Sequence, residues 1–149
     1  MSYTKLFYHI VFSTKQRTTT INTECERDLY AYIMGIINQL GGQLYRLGGM
    51  PDHIHILANI PANIAVADFV KTIKQSSSVW LRSNPNFPNW NGWEDGYAAL
   101  SYSQQELPKI INYIKGQKEH HKNISFIDEY RTWLIEMGFS PNDPYFPKE

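Results

Sequence analysis

The chain has 149 residues, 42% hydrophobic and 19% charged, with 14 basic side chains against 14 acidic ones and a formal net charge of zero. That length suits one domain with a real core and is too short for two, so a single domain over residues 1–149 is expected. No apolar run approaches the ~20 residues that a membrane span needs. Residues 1–5 lead into a strand-like segment rather than the apolar stretch of a signal peptide, so the expected compartment is the cytoplasm. The lone Cys25 excludes an internal disulfide and a cysteine-rich metal cage, so any metal here would use histidine and oxygen ligands.

The zero net charge conceals a polarised distribution. Lys5, Lys15 and Arg17 have no acidic neighbour in the first 23 residues; Lys71, Lys74 and Arg82 face only Asp68; Lys109, Lys115, Lys118 and Lys122 face only Glu119 between positions 107 and 122. The balancing acids gather mainly at 24–28 and after 127. Such a map can hold a phosphate backbone on one side, while plain solvated charge is the commoner explanation of any single cluster.

Residues 6–12, LFYHIVF, are β-branched and aromatic and predict a buried first strand. A helix follows, with Leu29, Ile33, Ile36, Ile37 and Leu40 at helical spacing and Gly41-Gly42 ending it. Residues 43–47 predict a second strand, GGMPD at 48–52 a turn, and 53–60 a third strand, the two strands forming a hairpin. Val66, Phe69, Val70, Ile73, Ser77, Trp80 and Leu81 mark an amphipathic second helix, stopped by the prolines at 85–88; Lys71, Lys74 and Arg82 lie off its stripe. Residues 84–96, rich in Asn, Pro, Trp and Gly, read as a loop and 97–102 as a fourth strand. Ser103 and Glu106 have the spacing of a capping box. Leu107, Ile110, Ile111 and Ile114 supply the apolar face of a third helix, in whose first turns Pro108 fits. Residues 126–137 predict a short last helix before an irregular tail. The order is that of an α+β fold: a ferredoxin-like antiparallel sheet (βαββαβ) with helices on one face and an additional C-terminal helix carrying Tyr113.

The densest chemistry lies in HIHILANI at 53–60. Strand side chains two apart share a face, so His53 and His55 can meet one divalent ion; two histidines on an exposed strand face need carry no function at all. On the third helix Tyr113, Gln117 and His120 fall at spacings of one helical face. Tyr113 can be a half-buried aromatic and Gln117 a surface amide. Alternatively, the tyrosine hydroxyl attacks a phosphodiester, with Gln117 joining His53 and His55 around Mg²⁺ or Mn²⁺. Asp52 can orient a ligand histidine or simply shape the turn. His120 and His121 can move a proton, touch phosphate or cap a helix. Trp90 and Trp93 are candidates for stacking on bases, with interior packing the commoner role of such residues.

Five blocks resemble the single-tyrosine HUH transposases of small bacterial insertion sequences (the IS200-like family): YHIVFSTKQR at 8–17, GGMPDHIHILANI at 48–60, DFVKTIKQSSS at 68–78, WEDGYAALSYS at 93–103 and NYIKGQKEHH at 112–121. The resemblance implies that His53, His55 and Gln117 bind the metal and that Tyr113 is the nucleophile. It further implies cleavage and rejoining of single-stranded DNA with hairpin ends through a 5′-phosphotyrosine, by a homodimer in which the tyrosine often serves the partner's histidines. Candidate DNA contacts are Lys15, Arg17, Lys71, Lys74, Arg82, Lys115, Lys118 and His120. Three alternatives stand beside this reading: a domesticated relative processing chromosomal palindromic repeats, a non-catalytic DNA-hairpin-binding protein, and a metal-dependent phosphoesterase using water.

Overall fold

A computed structural model describes residues 2–148, and its packing divides into two compact units, one ending at Gln117 and the other starting at Lys118. The first unit is built on a four-stranded antiparallel sheet of β1 (Phe7–Ser13), β2 (Gln43–Met50), β3 (His53–Asn59) and β4 (Ala98–Tyr102), in the order β2-β3-β1-β4. Helices α1 (Glu26–Gln39) and α2 (Val66–Arg82) connect β1 to β2 and β3 to β4. This strand order and connection pattern is the expected ferredoxin-like arrangement. The register shows how the two faces arise: Ile10 pairs with Ile56 and Phe12 with Ile54, so these apolar side chains share one face. With Leu29, Ile33, Ile37, Phe69, Ile73 and Leu81 of α1 and α2 they make the main core.

A third helix, α3 (Leu107–Lys115), covers the opposite face, where Leu107, Ile110 and Ile114 pack with Phe7 and Leu57. The capping box expected from sequence is present: the Glu106 carboxylate accepts from the Ser103 amide and hydroxyl, 3.0 Å each, in the 3-10 turn before α3, and Pro108 sits in the first turn of the helix. These hydrogen bonds hold the Glu106 carboxyl below the usual carboxylate range. Helices therefore lie on both faces, with α1 and α2 on one and the tyrosine helix on the other.

The turn expected at 48–52 is smaller than the sequence suggests. β2 runs on to Met50, which pairs with His53, leaving a two-residue turn at Pro51 and Asp52. Gly48 and Gly49 read as turn punctuation, but their lack of a side chain serves close approach. A Cβ on Gly48 would sit 3.0 Å from Ile114 Cγ2 and 3.2 Å from the Ile114 carbonyl; one on Gly49 would collide with the backbone of His53 and Ile54. Gly48→Val is accordingly expected to destabilise the chain by about 1–3 kcal/mol through overpacking, read as a lowered urea midpoint, and to push α3 off the sheet.

The segment 84–96 is a loop as expected, yet it is anchored. Trp93 forms a β-bridge with Thr14, and the amides of Lys15 and Glu94 reach the carbonyls of Gly92 and Ser13 at 2.8 and 2.9 Å. The second unit contains the last three residues of α4 (Gln117–His120), then α5 (Phe126–Glu136), capped by the Ser125 hydroxyl accepting from the Asp128 amide. Among the described residues no helix is long and apolar enough to cross a membrane.

Candidate metal and tyrosine site

The alternation of β3 sends Ile54, Ile56 and Ala58 into the main core and His53, His55 and Leu57 to the α3 face. Both imidazoles are buried, at 0% and 1% exposure, so neither is the idle histidine of a solvent-facing strand. Each is held at its Nδ1. The two-residue turn brings Asp52 Oδ1 to 2.7 Å from His53 Nδ1, and because a carboxylate only accepts, Nδ1 carries a proton and the ring is oriented with Nε2 toward Gln117. Asp52 therefore orients the His53 ring, and its backbone carbonyl accepts from the Thr14 amide at 2.9 Å.

The partner of His55 is His9, a residue that the sequence reading left within the first strand's apolar run. His9 Nε2 stands 2.8 Å from His55 Nδ1, with the rings stacked 5.0 Å apart. With the shared proton on His55, its Nε2 is free of hydrogen, as a metal ligand requires. The available signal was an isolated histidine inside LFYHIVF; nothing local says that β1 lies beside β3 with His9 two residue pairs away from His55 on the same face.

Tyr113 lies on α3, half-buried, its ring edge-on to His55 at 5.7 Å and to His9 at 6.1 Å. Gln117 reaches the site by a different route from the one expected. The single helical face predicted for Tyr113, Gln117 and His120 is interrupted: α3 ends at Lys115, Gly116 turns its amide to the carbonyls of Asn112 and Tyr113, and Gln117 begins α4. Gln117 is nonetheless buried, with Oε1 2.9 Å from His53 Nε2.

The donor set suits a hard or borderline divalent ion. Ligands at ~2.1 Å around an octahedral ion stand ~3 Å apart along an edge, close to the spacing of His53 Nε2 and Gln117 Oε1. An imidazole nitrogen beside an amide oxygen favours Mn²⁺ over Mg²⁺, and both accept such ligands.

The remaining expected residues fall elsewhere. Lys15, Arg17, Lys71, Arg82, Lys115 and Lys118 are exposed. Gln16 and Arg17 both adopt left-handed backbone at φ 56, with the Gln16 amide held by Glu94 Oε2 at 2.9 Å. Lys74 is engaged internally: its ammonium donates to the carbonyls of Glu94 and Gly96 at 2.7 and 2.9 Å and lies over the Phe12 ring. Burial pushes its pKa below the usual lysine range, against the pull of Asp95 and Glu94. Trp90 and Trp93 pack edge to face at 4.7 Å, and their indole N–H groups donate to Ser78 and Ser77 of α2. They brace the loop on the helix. His120 is partly exposed at the end of α4, 3.2 Å from the Glu129 carboxylate.

Comparison with known proteins identifies the family of the chain. The family model for IS200-like transposases matches residues 2–117. The ISDra2 transposase TnpA of Deinococcus radiodurans is 29% identical over 122 residues, covering 77% of this chain and 86% of that protein. The transposase for insertion sequence element IS200 of Salmonella typhimurium is 28% identical over 120 residues, covering 77% and 78%. A crystal structure of a protein described as a transposase from Deinococcus radiodurans R1 superposes with a TM-score of 0.59 at 29% identity, over 78% of this chain and 93% of that one. The REP-associated tyrosine transposase bound to a REP hairpin shares the fold, with a TM-score of 0.63 at 13% identity over 83% and 73% of the two chains. With a family match that spans most of its length, this chain belongs to the IS200-like transposases.

Proposed function

We propose that this protein cleaves and rejoins single-stranded DNA bearing hairpin ends, with Tyr113 as nucleophile and a 5′-phosphotyrosine as intermediate. The observation that carries the reading is the convergence of Tyr113, His55, His53 and Gln117, drawn from α3, β3 and the start of α4, at one buried place on the α3 face of the sheet. His53 Nε2, His55 Nε2 and Gln117 Oε1 would hold Mg²⁺ or Mn²⁺. Such an ion, when bound, polarises a phosphate and offsets the charge that develops on it during attack.

The chain's own residues do the rest. The Tyr113 oxygen bonds to phosphorus, the bond from phosphorus to the 3′-oxygen breaks, and the departing oxygen takes up the proton that the phenol gives up. The new phosphotyrosine keeps the energy of the phosphodiester, so a 3′-hydroxyl can reverse the step and join strands without a nucleotide cofactor. Asp52 and His9 hold the two histidine rings in place through their Nδ1 atoms. The exposed Lys15, Arg17, Lys71, Arg82, Lys115 and Lys118 are the proposed backbone contacts, with Lys74 supporting the 93–96 loop instead. The reading includes action as a homodimer, as the resemblance implies.

The test is incubation of the protein with labelled single-stranded hairpin DNA and Mn²⁺ or Mg²⁺, followed by denaturing electrophoresis. A covalent protein–DNA band is expected. Binding without any adduct or cleavage would replace this reading with a hairpin-binding protein; cleavage without an adduct would replace it with a water-using phosphoesterase.

His9 offers a separate check on the positioning argument. His9→Leu is expected to weaken Mn²⁺ binding about 10–100-fold by calorimetry, because the outer partner of a ligand histidine contributes on that scale. His9→Gln, whose amide oxygen can accept from His55 Nδ1, should restore part of the affinity. Equal affinity in all three proteins would mean that His9 only fills space.

A further inference from the structure

We propose that the cleft between residues 17–20 and 88–91 holds one unpaired nucleotide of the DNA, its base against Trp90 and the amides of Asn89 and Asn91 and its phosphate on Arg17. This role rests on the reading of single-stranded DNA as the substrate, and the cleft shares no residue with the tyrosine and histidine site.

Two polar segments form its walls and are pinned to each other at both ends. At one end the Lys15 amide donates to the Gly92 carbonyl at 2.8 Å and the Gln16 amide to Glu94 Oε2 at 2.9 Å. At the other end the Asn22 side-chain amide donates to the Asn86 carbonyl at 2.8 Å. Between these clamps lies a cavity of about 600 Å³, well within the range of small-molecule sites. The first wall is fastened to the β2–β3 turn as well, the Thr14 and Ile21 amides donating to the carbonyls of Asp52 and Pro51 at 2.9 and 3.0 Å, so the cleft adjoins the turn that orients His53. A segment so anchored sustains left-handed backbone at two consecutive residues, Gln16 and Arg17. Residues other than glycine keep that conformation only where their surroundings enforce it, and such positions gather at binding sites.

The lining suits a flat, polar, anionic ligand. Arg17 is its single charged side chain, and no carboxylate lines it. Among the described residues Arg17 makes no ion pair and Asn89 and Asn91 make no side-chain hydrogen bond, so a guanidinium and two amides are available. Trp90 is half-buried, its indole N–H taken by Ser78 while its ring lines the cavity. Thr20 lines the cavity too; it is 7% exposed, and its Oγ1 has no hydrogen-bond partner among the described residues. Buried hydroxyls rarely go without a partner, and a bound ligand is one way of supplying it. An aromatic ring for the base, amides for its edge and a guanidinium for the phosphate are together the means by which proteins hold an unpaired nucleotide.

The experiment measures, by fluorescence anisotropy, the binding of the full chain to hairpin DNA with an unpaired arm and to the same DNA with the arm's bases removed, in chelator so that no strand is cut. Removing the bases should weaken binding to the wild-type chain about tenfold, the scale of one stacked base. The double variant Asn89→Ala, Asn91→Ala, at exposed positions and with circular dichroism unchanged, should bind the intact arm more weakly and distinguish the two DNAs by less than twofold. Arg17→Gln should weaken both DNAs alike, because the phosphate remains when the base is gone. Thr20→Val keeps the shape of the side chain; it should hold or raise the melting temperature of the free chain while weakening binding to the intact arm several-fold. Equal binding of the two DNAs by the wild-type chain, or the same base dependence in the double variant, would overturn the proposal. A free deoxynucleoside monophosphate that binds the cleft while the arm's bases make no difference would also overturn it, in favour of a nucleotide from solution. Binding in chelator does not draw on the chemistry of Tyr113. Base dependence without a covalent adduct therefore keeps the cleft and removes the tyrosine reading, and an adduct without base dependence does the reverse.

Discussion

Tyr113→Phe is expected to leave hairpin DNA bound while eliminating the denaturation-resistant adduct and reducing strand cleavage by roughly three orders of magnitude or more, the scale on which loss of a nucleophile acts. The substitution removes one oxygen from a half-buried ring and keeps its edge-on contacts with His55 and His9, so α3 should stay on the sheet. Binding measured by fluorescence anisotropy should change little, since phosphate contacts from lysine and arginine supply most of the affinity. Cleavage at the wild-type rate in Tyr113→Phe would sink the covalent mechanism and point to water as nucleophile. Loss of the helical circular dichroism signal would instead show that the hydroxyl is structural.

His53→Ala and His55→Ala, singly, are expected to abolish nicking in Mn²⁺ and Mg²⁺ and to leave hairpin binding within a few-fold of wild type. Each removes a buried imidazole together with one end of a positioned pair, Asp52–His53 or His9–His55. Truncating a buried group that makes hydrogen bonds costs about 1–3 kcal/mol, so both variants should melt earlier yet remain folded at moderate temperature. Chelation of wild-type protein should reproduce the loss of activity without the loss of stability caused by the substitutions. If nicking survives either substitution or chelation, the histidines are packing residues and no ion takes part. Gln117→Ala should have a milder effect on activity, because water can occupy the position of an amide oxygen.

Much of this protein was legible in the amino-acid order. The apolar stripes of α1 and α2, the alternation of β3, the Ser103–Glu106 cap and the sharing of a face by His53 and His55 all follow from periods of 3.6 or 2 within one element. The resemblance added the proposed joint role of Tyr113 and Gln117, and the ferredoxin-like fold read from the order of elements is the fold observed. Where the reading failed, a local signal had a nonlocal cause. Gly48 and Gly49 looked like a turn because glycine usually marks one; they are strand residues left bare for Ile114 and for the facing β3 backbone. Lys74 was a candidate DNA contact because its residue type binds phosphate, but it is occupied in securing a loop, beside the two tryptophans whose interior packing the sequence favoured.

By itself, then, the sequence determined the order of elements, the side of each strand that faces a core, and the pairing of two imidazoles on one strand face. The tertiary structure alone decided that His9 meets His55 across 46 residues of chain, and that Gln117, redirected where the helix ends at Gly116, meets His53 across 64. The physical reason is that periodicity constrains neighbours within an element, whereas these contacts depend on which strands lie side by side and on where a helix comes to rest. Those outcomes are set by the burial of the whole core rather than by any local run of residues.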